Sequence, residues 1–314
     1  MIGRRVLSPE LKAWNEKWGA PFGYSGNKLF ADGSTPYRST RHAFENPTSP
    51  DVGPFGFQTN SYTRVLEYPW AYQAGAMEPG MKVLDVGGGI SGFQFVAAQE
   101  GCRVVNVDPT ARADYNRWSE PGLVSLTPEV HTMLNGVFGT DVTLVAERLQ
   151  DAELEEASFD RVFCLSVLEH VDPAEAGSML ETTMRLLKPG GRAVLTVDLF
   201  LDLLPFGVLE SNTWGINHDV GKLVKDSGMA LVQGDPRELL GFPEFDRDRV
   251  VELLPELLVS SLYPVMTQML VLEKAERRQS ARELAEQANA MPIPPDVVAD
   301  LERLADGVPV PADR

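Results

Sequence analysis

The chain has 314 residues, with 28 Lys plus Arg against 45 Asp plus Glu and a formal net charge of −17. That length is ample for a well-buried core, and a hydrophobic content of 43% is ordinary for a globular protein. The acidic balance argues against nucleic acid or an anionic membrane as the main partner, because phosphate binding needs a basic face, and no apolar run is long enough to cross a bilayer. Met1-Ile2-Gly3-Arg4-Arg5 is not followed by the apolar stretch of a secretory signal. Cys102 and Cys164 make neither a disulfide framework nor a zinc spacing, so a cytoplasmic protein without a metal site is expected.

Ser8-Pro9-Glu10-Leu11 reads as a helix start, with Ser8 as N-cap and Pro9 in the first turn, and the helix should stop at Gly19. Residues 20–57 are rich in Gly, Pro, Ser and Asn, interleaved with Phe22, Tyr24, Phe30, Tyr37, Phe44, Phe55 and Phe57. Disordered tails are poor in aromatics, so this is expected to be a loop-rich cap pinned by its rings. Residues 61–72 should be helical, with Pro69 bending or restarting the run. Arg64 and Glu67 share a helical face. They make either a surface pair beside a packed Trp70, or, if the helix crosses above the next segment, a place where Arg64 or Tyr62 meets a ligand carboxylate.

That next segment is Val83-Leu84-Asp85-Val86-Gly87-Gly88-Gly89-Ile90-Ser91-Gly92: an apolar strand, a glycine turn and a helix start. Gly87 and Gly89 allow a tight turn and close ligand approach, Gly92 allows close packing of helix on strand, and the helix start favours an electron-rich ligand. The second strand ends at Asp108, about twenty residues past the glycines, the spacing for a carboxylate that accepts from two ribose hydroxyls. Further strands are expected at 142–146, 158–165 and 192–198. Helices are expected at 128–134 and 173–187, the latter stopped by Lys188-Pro189-Gly190-Gly191. Alternating strands and helices imply a mostly parallel sheet covered on both faces, with ligands beyond the C-terminal strand ends. Gly87 to Gly89, Asp108, Glu147, Cys164, Leu165 and Asp198 should therefore meet on one rim.

Together these residues resemble the class I S-adenosylmethionine-dependent methyltransferases. The resemblance rests on Asp85-x-Gly87-x-Gly89, on Ser158-Phe159-Asp160-x-Val162 with Leu168-Glu169-His170-Val171, and on Leu187-Lys188-Pro189-Gly190-Gly191, in that order. It implies an α/β, Rossmann-like sheet of seven mostly parallel strands with helices on both faces and an antiparallel last strand. Residues 229–233 and 265–272 supply the final strands, and a helix over 219–226 stops at Gly228. The domain would span 76–274, after an N-terminal cap (1–75) and before a C-terminal helical tail (275–314). S-adenosylmethionine is the implied cofactor. Its methionine part would lie against Gly87, Gly88 and Gly89 near Asp85 and along the backbone of Cys164 and Leu165, and Arg64, if its helix crosses above the turn, would meet the carboxylate. Asp108 would hold the ribose hydroxyls, with Pro109 next to it in the cofactor site, and Glu147 would accept from the adenine amino group, with Arg148 or Leu149 lining the ring.

Methyl transfer from a sulfonium is an in-line displacement that asks the protein to align a nucleophile in a dry pocket. His170 and His218 are the candidate bases, and Asp198 a candidate base or metal ligand, although Cys164-Leu165-Ser166 offers no matching acid for a magnesium site. Aromatic and apolar residues at 199–214 and 235–262 favour a small organic acceptor, and part of that surface is a candidate homodimer contact. Two other readings stay open: a nicotinamide-dependent oxidoreductase, from the same glycines and Asp108, and a non-catalytic relative that binds partners.

Overall fold

The computed structural model describes residues 1–23, 40–112, 126–260 and 263–275. Seven strands form one sheet: β1 (Lys82–Val86), β2 (Arg103–Val107), β3 (Thr143–Val145), β4 (Phe159–Leu165), β5 (Leu187–Phe200), β6 (Ala230–Gln233) and β7 (Val265–Glu273). Their order is β3-β2-β1-β4-β5-β7-β6, with β7 antiparallel to both neighbours and the other pairings parallel. Successive strand residues face opposite sides. Val83, Phe163, Val194 and Val271 accordingly enter one core, and Leu84, Val162, Leu195 and Leu272 the other. Helices α1 (Pro9–Trp18), α3 (Arg64–Gly75), α4 (Gly92–Gln99) and α5 (Pro128–Phe138) contribute Trp14, Trp70, Phe95 and Leu134 to the first core. Helices α6 (Pro173–Leu186) and α7 (Val220–Ser227) contribute Leu180 and Leu223 to the second. The expected sheet, its reversed strand and its two covered faces are all present.

The Lys188-Pro189-Gly190-Gly191 turn differs from expectation, because its residues lie inside β5. The pairing with β4 jumps from Phe159↔Leu187 to Arg161↔Arg192, so the extra residues are absorbed as a bulge. The Gly190 N–H still finds the Lys274 carbonyl at 2.9 Å, and Lys188 pairs with Asp160 at 2.6 Å.

The segment expected as a cap holds α1, a short α2 (Thr40–Glu45) and a single turn at Pro54–Phe57, and it lies within one compact unit with the sheet. Ser8 caps α1 by accepting from the Leu11 N–H, and Gly19 ends it in a left-handed conformation. Rings carry the cap onto the sheet: Trp14 meets Phe55 at 5.8 Å, Phe55 meets Tyr68 at 4.9 Å, and Phe93 meets Phe163 at 4.9 Å. Gly92 serves this docking and not helix-on-strand packing, since a methyl group there would stand 2.6 Å from the Pro54 carbonyl carbon and 2.8 Å from Phe55. Tyr24, Phe30, Tyr37, Tyr115 and Trp118 lie outside the described residues, as does the expected tail beyond Ala275.

Pro69 does not restart the helix, because α3 runs unbroken from Arg64 to Gly75. A proline at that position leaves the Val65 carbonyl without its helical donor. Asn15 of α1 supplies the missing bond, its Nδ2 donating to Val65 O at 2.7 Å in a buried position. The helix therefore continues through Tyr68-Pro69-Trp70 and carries Arg64 and Glu67 over the ends of β4 and β5.

Candidate functional site

Between β1 and α4 the chain turns through Gly87 (φ 67°) and Gly89 (φ 55°), both left-handed, where a side chain would be strained. Polar bonds fix the turn from below and from the side. Gln94 Nε2 and Asn106 Nδ2 donate to the Gly89 carbonyl at 3.0 and 2.9 Å, while the Gly89 N–H donates to Asp108 Oδ2 at 2.8 Å. The other Asp108 oxygen accepts from the Thr110 N–H at 2.8 Å and from its hydroxyl at 2.5 Å. Above this turn opens a cavity of about 750 Å³, reached by Gly87, Gly89, Asp108, Arg64, Ser166 and His170. Its size lies in the range of about 300–1,000 Å³ usual for small-molecule sites.

Asp85 and Gly88 lie behind the turn and not on the cavity wall. Asp85 is buried beneath Gly88, and its Oδ2 and the neighbouring Asn106 Oδ1 are acceptors without partners. Burial, then the Asp108 charge, pushes the Asp85 carboxyl up to about 8. At neutral pH it is an uncharged acid in the support of the turn.

The second wall comes from the end of β4. Cys164 and Leu165, expected on the rim, are turned into the two cores, and burial raises the Cys164 thiol well above its usual range. Ser166 and Val167, one and two residues later, reach the cavity instead. Ser166 does so with a left-handed backbone (φ 51°), held by the Ser166 N–H donating to Thr196 Oγ1 at 3.0 Å. Past β3 the wall is Arg148, Leu149 and Gln150, with Pro109 after β2. Glu147 is not on it. Gln58, which no sequence pattern marked, reaches in from the cap. Its Oε1 is buried without a partner, 3.5 Å from where a Gly89 side chain would begin.

Arg64 and Glu67 form a buried pair, which corrects the surface pair considered from spacing alone: Glu67 is fully inaccessible. Arg64 also donates to Ser166 Oγ at 2.5 Å and lines the cavity. Asp198 is buried beside them, 3.1 Å from Ser166 Oγ and off the cavity wall. Burial, then the charges of Glu169 and Glu67, raises its carboxyl well above the ordinary range. Glu169 is likewise inaccessible, neither of its oxygens has a hydrogen-bond partner, and burial pushes it up to about 7.

The two histidines separate. His218 is buried, with its Nε2–H donated to the Leu168 carbonyl at 2.6 Å, and burial lowers its pKa, so it is a neutral tether away from the cavity. His170 lines the cavity. Its Nδ1 is 2.6 Å from the Trp214 carbonyl, which can only accept, so Nδ1 carries a proton. Nε2 is 3.8 Å from Glu169 Oε1.

Residues 84–195 match the family described as "Methyltransferase domain". The chain is 31% identical over 168 residues to a ubiquinone biosynthesis O-methyltransferase of Pseudomonas aeruginosa, covering 48% of this chain and 66% of that protein. It is 26% identical to the enzyme of the same description from Leptothrix cholodnii, covering 53% and 71%. The chain thus spans about two thirds of the length of such curated relatives. Among solved structures, a Burkholderia thailandensis 1,6-didemethyltoxoflavin-N1-methyltransferase with bound S-adenosylhomocysteine aligns at TM-score 0.41 and 20% identity, over 63% of this chain and 72% of that one.

Proposed function

We propose that this chain, whose residues 84–195 match a methyltransferase domain, is a class I S-adenosylmethionine-dependent methyltransferase that methylates a hydroxyl of a small organic acceptor. The observation that carries the reading is the convergence of the left-handed glycine turn, Asp108 and Arg64 on one cavity. The residues fit the cofactor. Asp108 offers carboxylate oxygens for ribose hydroxyls, Arg64 a guanidinium for the methionine carboxylate, and Leu149 and Pro109 apolar surface for the adenine. The buried, unpartnered Gln58 oxygen suits one of the cofactor's donors. When bound, S-adenosylmethionine supplies the activated methyl group. The chain's own residues orient it and exclude water.

O-methylation follows the description of the curated relatives, and His170 supports it from the geometry. With Nδ1–H held by the Trp214 carbonyl, the His170 ring is oriented on the cavity wall as the base for the acceptor's hydroxyl proton. His218 and Asp198 are given no part in proton transfer. A cytoplasmic setting and a homodimer belong to the same reading. The first rests on Cys102 and Cys164 both being buried and free, and the second on the exposed Val208 and Trp214. Among the described residues no helix is long and apolar enough to cross a membrane. Calorimetry with S-adenosylhomocysteine and with NAD tests the cofactor: the homocysteine derivative should bind, and binding of NAD alone would end this reading. Transfer of labelled methyl to a panel of phenols, lost in His170→Gln with cofactor affinity retained, tests the base.

A further inference from the structure

Glu67 is completely buried, yet its carboxylate is the meeting point of groups from β5, from β7 and from the turn after β4. Arg64 Nη1 donates to Oε2, as does Thr196 Oγ1 of β5 at 2.8 Å. Ser166 Oγ, just past β4, stands 3.1 Å from the same oxygen. Thr267 Oγ1 of β7 donates to Oε1 at 3.0 Å. Thr196 and Thr267 come to one face because β5 and β7 run antiparallel, with Thr196 opposite Met269 and Asp198 opposite Thr267. Burial opposes the Glu67 charge, but Arg64 and the hydroxyls outweigh it and hold the carboxyl below its ordinary range. A buried ion pair is poor at adding stability compared with apolar side chains of similar volume. What it gives that a leucine could not is direction. Among the described residues all of Arg64's hydrogen bonds use Nη1, so the Nε–Nη2 edge of the guanidinium stays available for a two-point grip on a carboxylate.

We propose that Glu67 is a positioning residue that, anchored by Thr196, Thr267 and Ser166, sets the Arg64 guanidinium for the carboxylate of the cofactor's methionine end. This rests on the assignment of Arg64 given above and adds a claim that can fail separately. Glu67 and the Thr267 hydroxyl, neither of them on the cavity wall, contribute to recognition of the amino-acid end and contribute nothing to the adenosine end.

Two ligands make the distinction: S-adenosylhomocysteine carries the carboxylate, and 5′-methylthioadenosine lacks the whole amino-acid end. Calorimetry on the full chain and on Arg64→Lys, Glu67→Gln and Thr267→Val gives both affinities. Arg64→Lys and Glu67→Gln should each weaken S-adenosylhomocysteine by about tenfold or more, and Thr267→Val by about threefold, with 5′-methylthioadenosine held within about twofold. If Arg64→Lys is selective while Glu67→Gln and Thr267→Val are silent, or weaken both ligands alike, Glu67 is only structural and the proposal is overturned with the Arg64 assignment intact. If Arg64→Lys leaves the ratio of the two affinities unchanged, the Arg64 assignment fails and takes the proposal with it. Should Glu67→Gln not fold, Thr267→Val decides, because it removes one donor and leaves the ion pair in place.

Discussion

Asp85 and Asp108 are carboxyls on either side of one glycine turn, and their surroundings give them opposite work. Asp108 accepts three hydrogen bonds and faces the cavity, so its oxygens stay aligned for ligand hydroxyls. Asp108→Ala should weaken S-adenosylhomocysteine binding by about 1–3 kcal/mol, the scale of a hydrogen bond to a charged group. An unchanged calorimetric affinity in a folded variant would refute the ribose role. Asp85 is raised from its ordinary 3.8 to about 8 in the folded chain. A raised acid binds its proton more tightly folded than unfolded, so its stabilising contribution is full below about pH 4 and is lost as pH climbs towards 8. Asp85→Asn removes the ionisable group and offers an N–H to the unpartnered Asn106 oxygen. Its thermal midpoint should therefore fall less than that of the parent between pH 6 and pH 9, and parallel falls would contradict a neutral Asp85.

At the scale of elements, α3 shows how a sequence can break a local rule when a distant residue repairs it. Asn15 lies 50 positions from Val65 and satisfies the carbonyl that Pro69 leaves bare. Asn15→Ala should cost about 1–3 kcal/mol, because a buried carbonyl then lacks a donor, and a shift in the urea midpoint measures it. The repair was invisible in sequence, since neither Asn15 nor Val65 marks the other. The sheet itself was legible, because apolar runs broken by glycines and acids set strand positions and crossovers. On the first rim, Gly87, Gly89 and Asp108 were readable for the same reason, namely that turn chemistry is local. The wall after β4 was misplaced: Cys164 and Leu165 continue the strand's inward alternation, and only the left-handed turn at Ser166 brings Ser166 and Val167 to the cavity. Gln58 and the Glu67 network were beyond reach for another reason. Both are made by residues far apart in the chain, and no periodicity reports a contact 200 positions away.

For the molecule as a whole, the surplus of acids is a cost to the compact state that counter-ions relieve. Exposed pairs such as Arg41–Glu45 and Lys222–Asp226 lose little when screened, since surface ion pairs contribute little to begin with. Raising sodium chloride from about 10 mM to about 300 mM should therefore raise the thermal midpoint, and relief of about 1 kcal/mol would appear as about 2–4 °C in a chain of this size. A lower midpoint in salt would mean that attractive pairs dominate. The bond from Glu67 to Thr267 also has a consequence in time. Thr267 belongs to β7, the last strand of the sheet to be synthesised, whereas Arg64 and Glu67 leave the ribosome some 200 residues earlier. Until β7 inserts beside β5, the Glu67 carboxylate lacks one of its donors and the β5 edge stands open. Assembly of the ligand wall thus waits on the closing step of chain growth, and a nascent chain halted before β7 should hold its glycine turn but not its arginine grip.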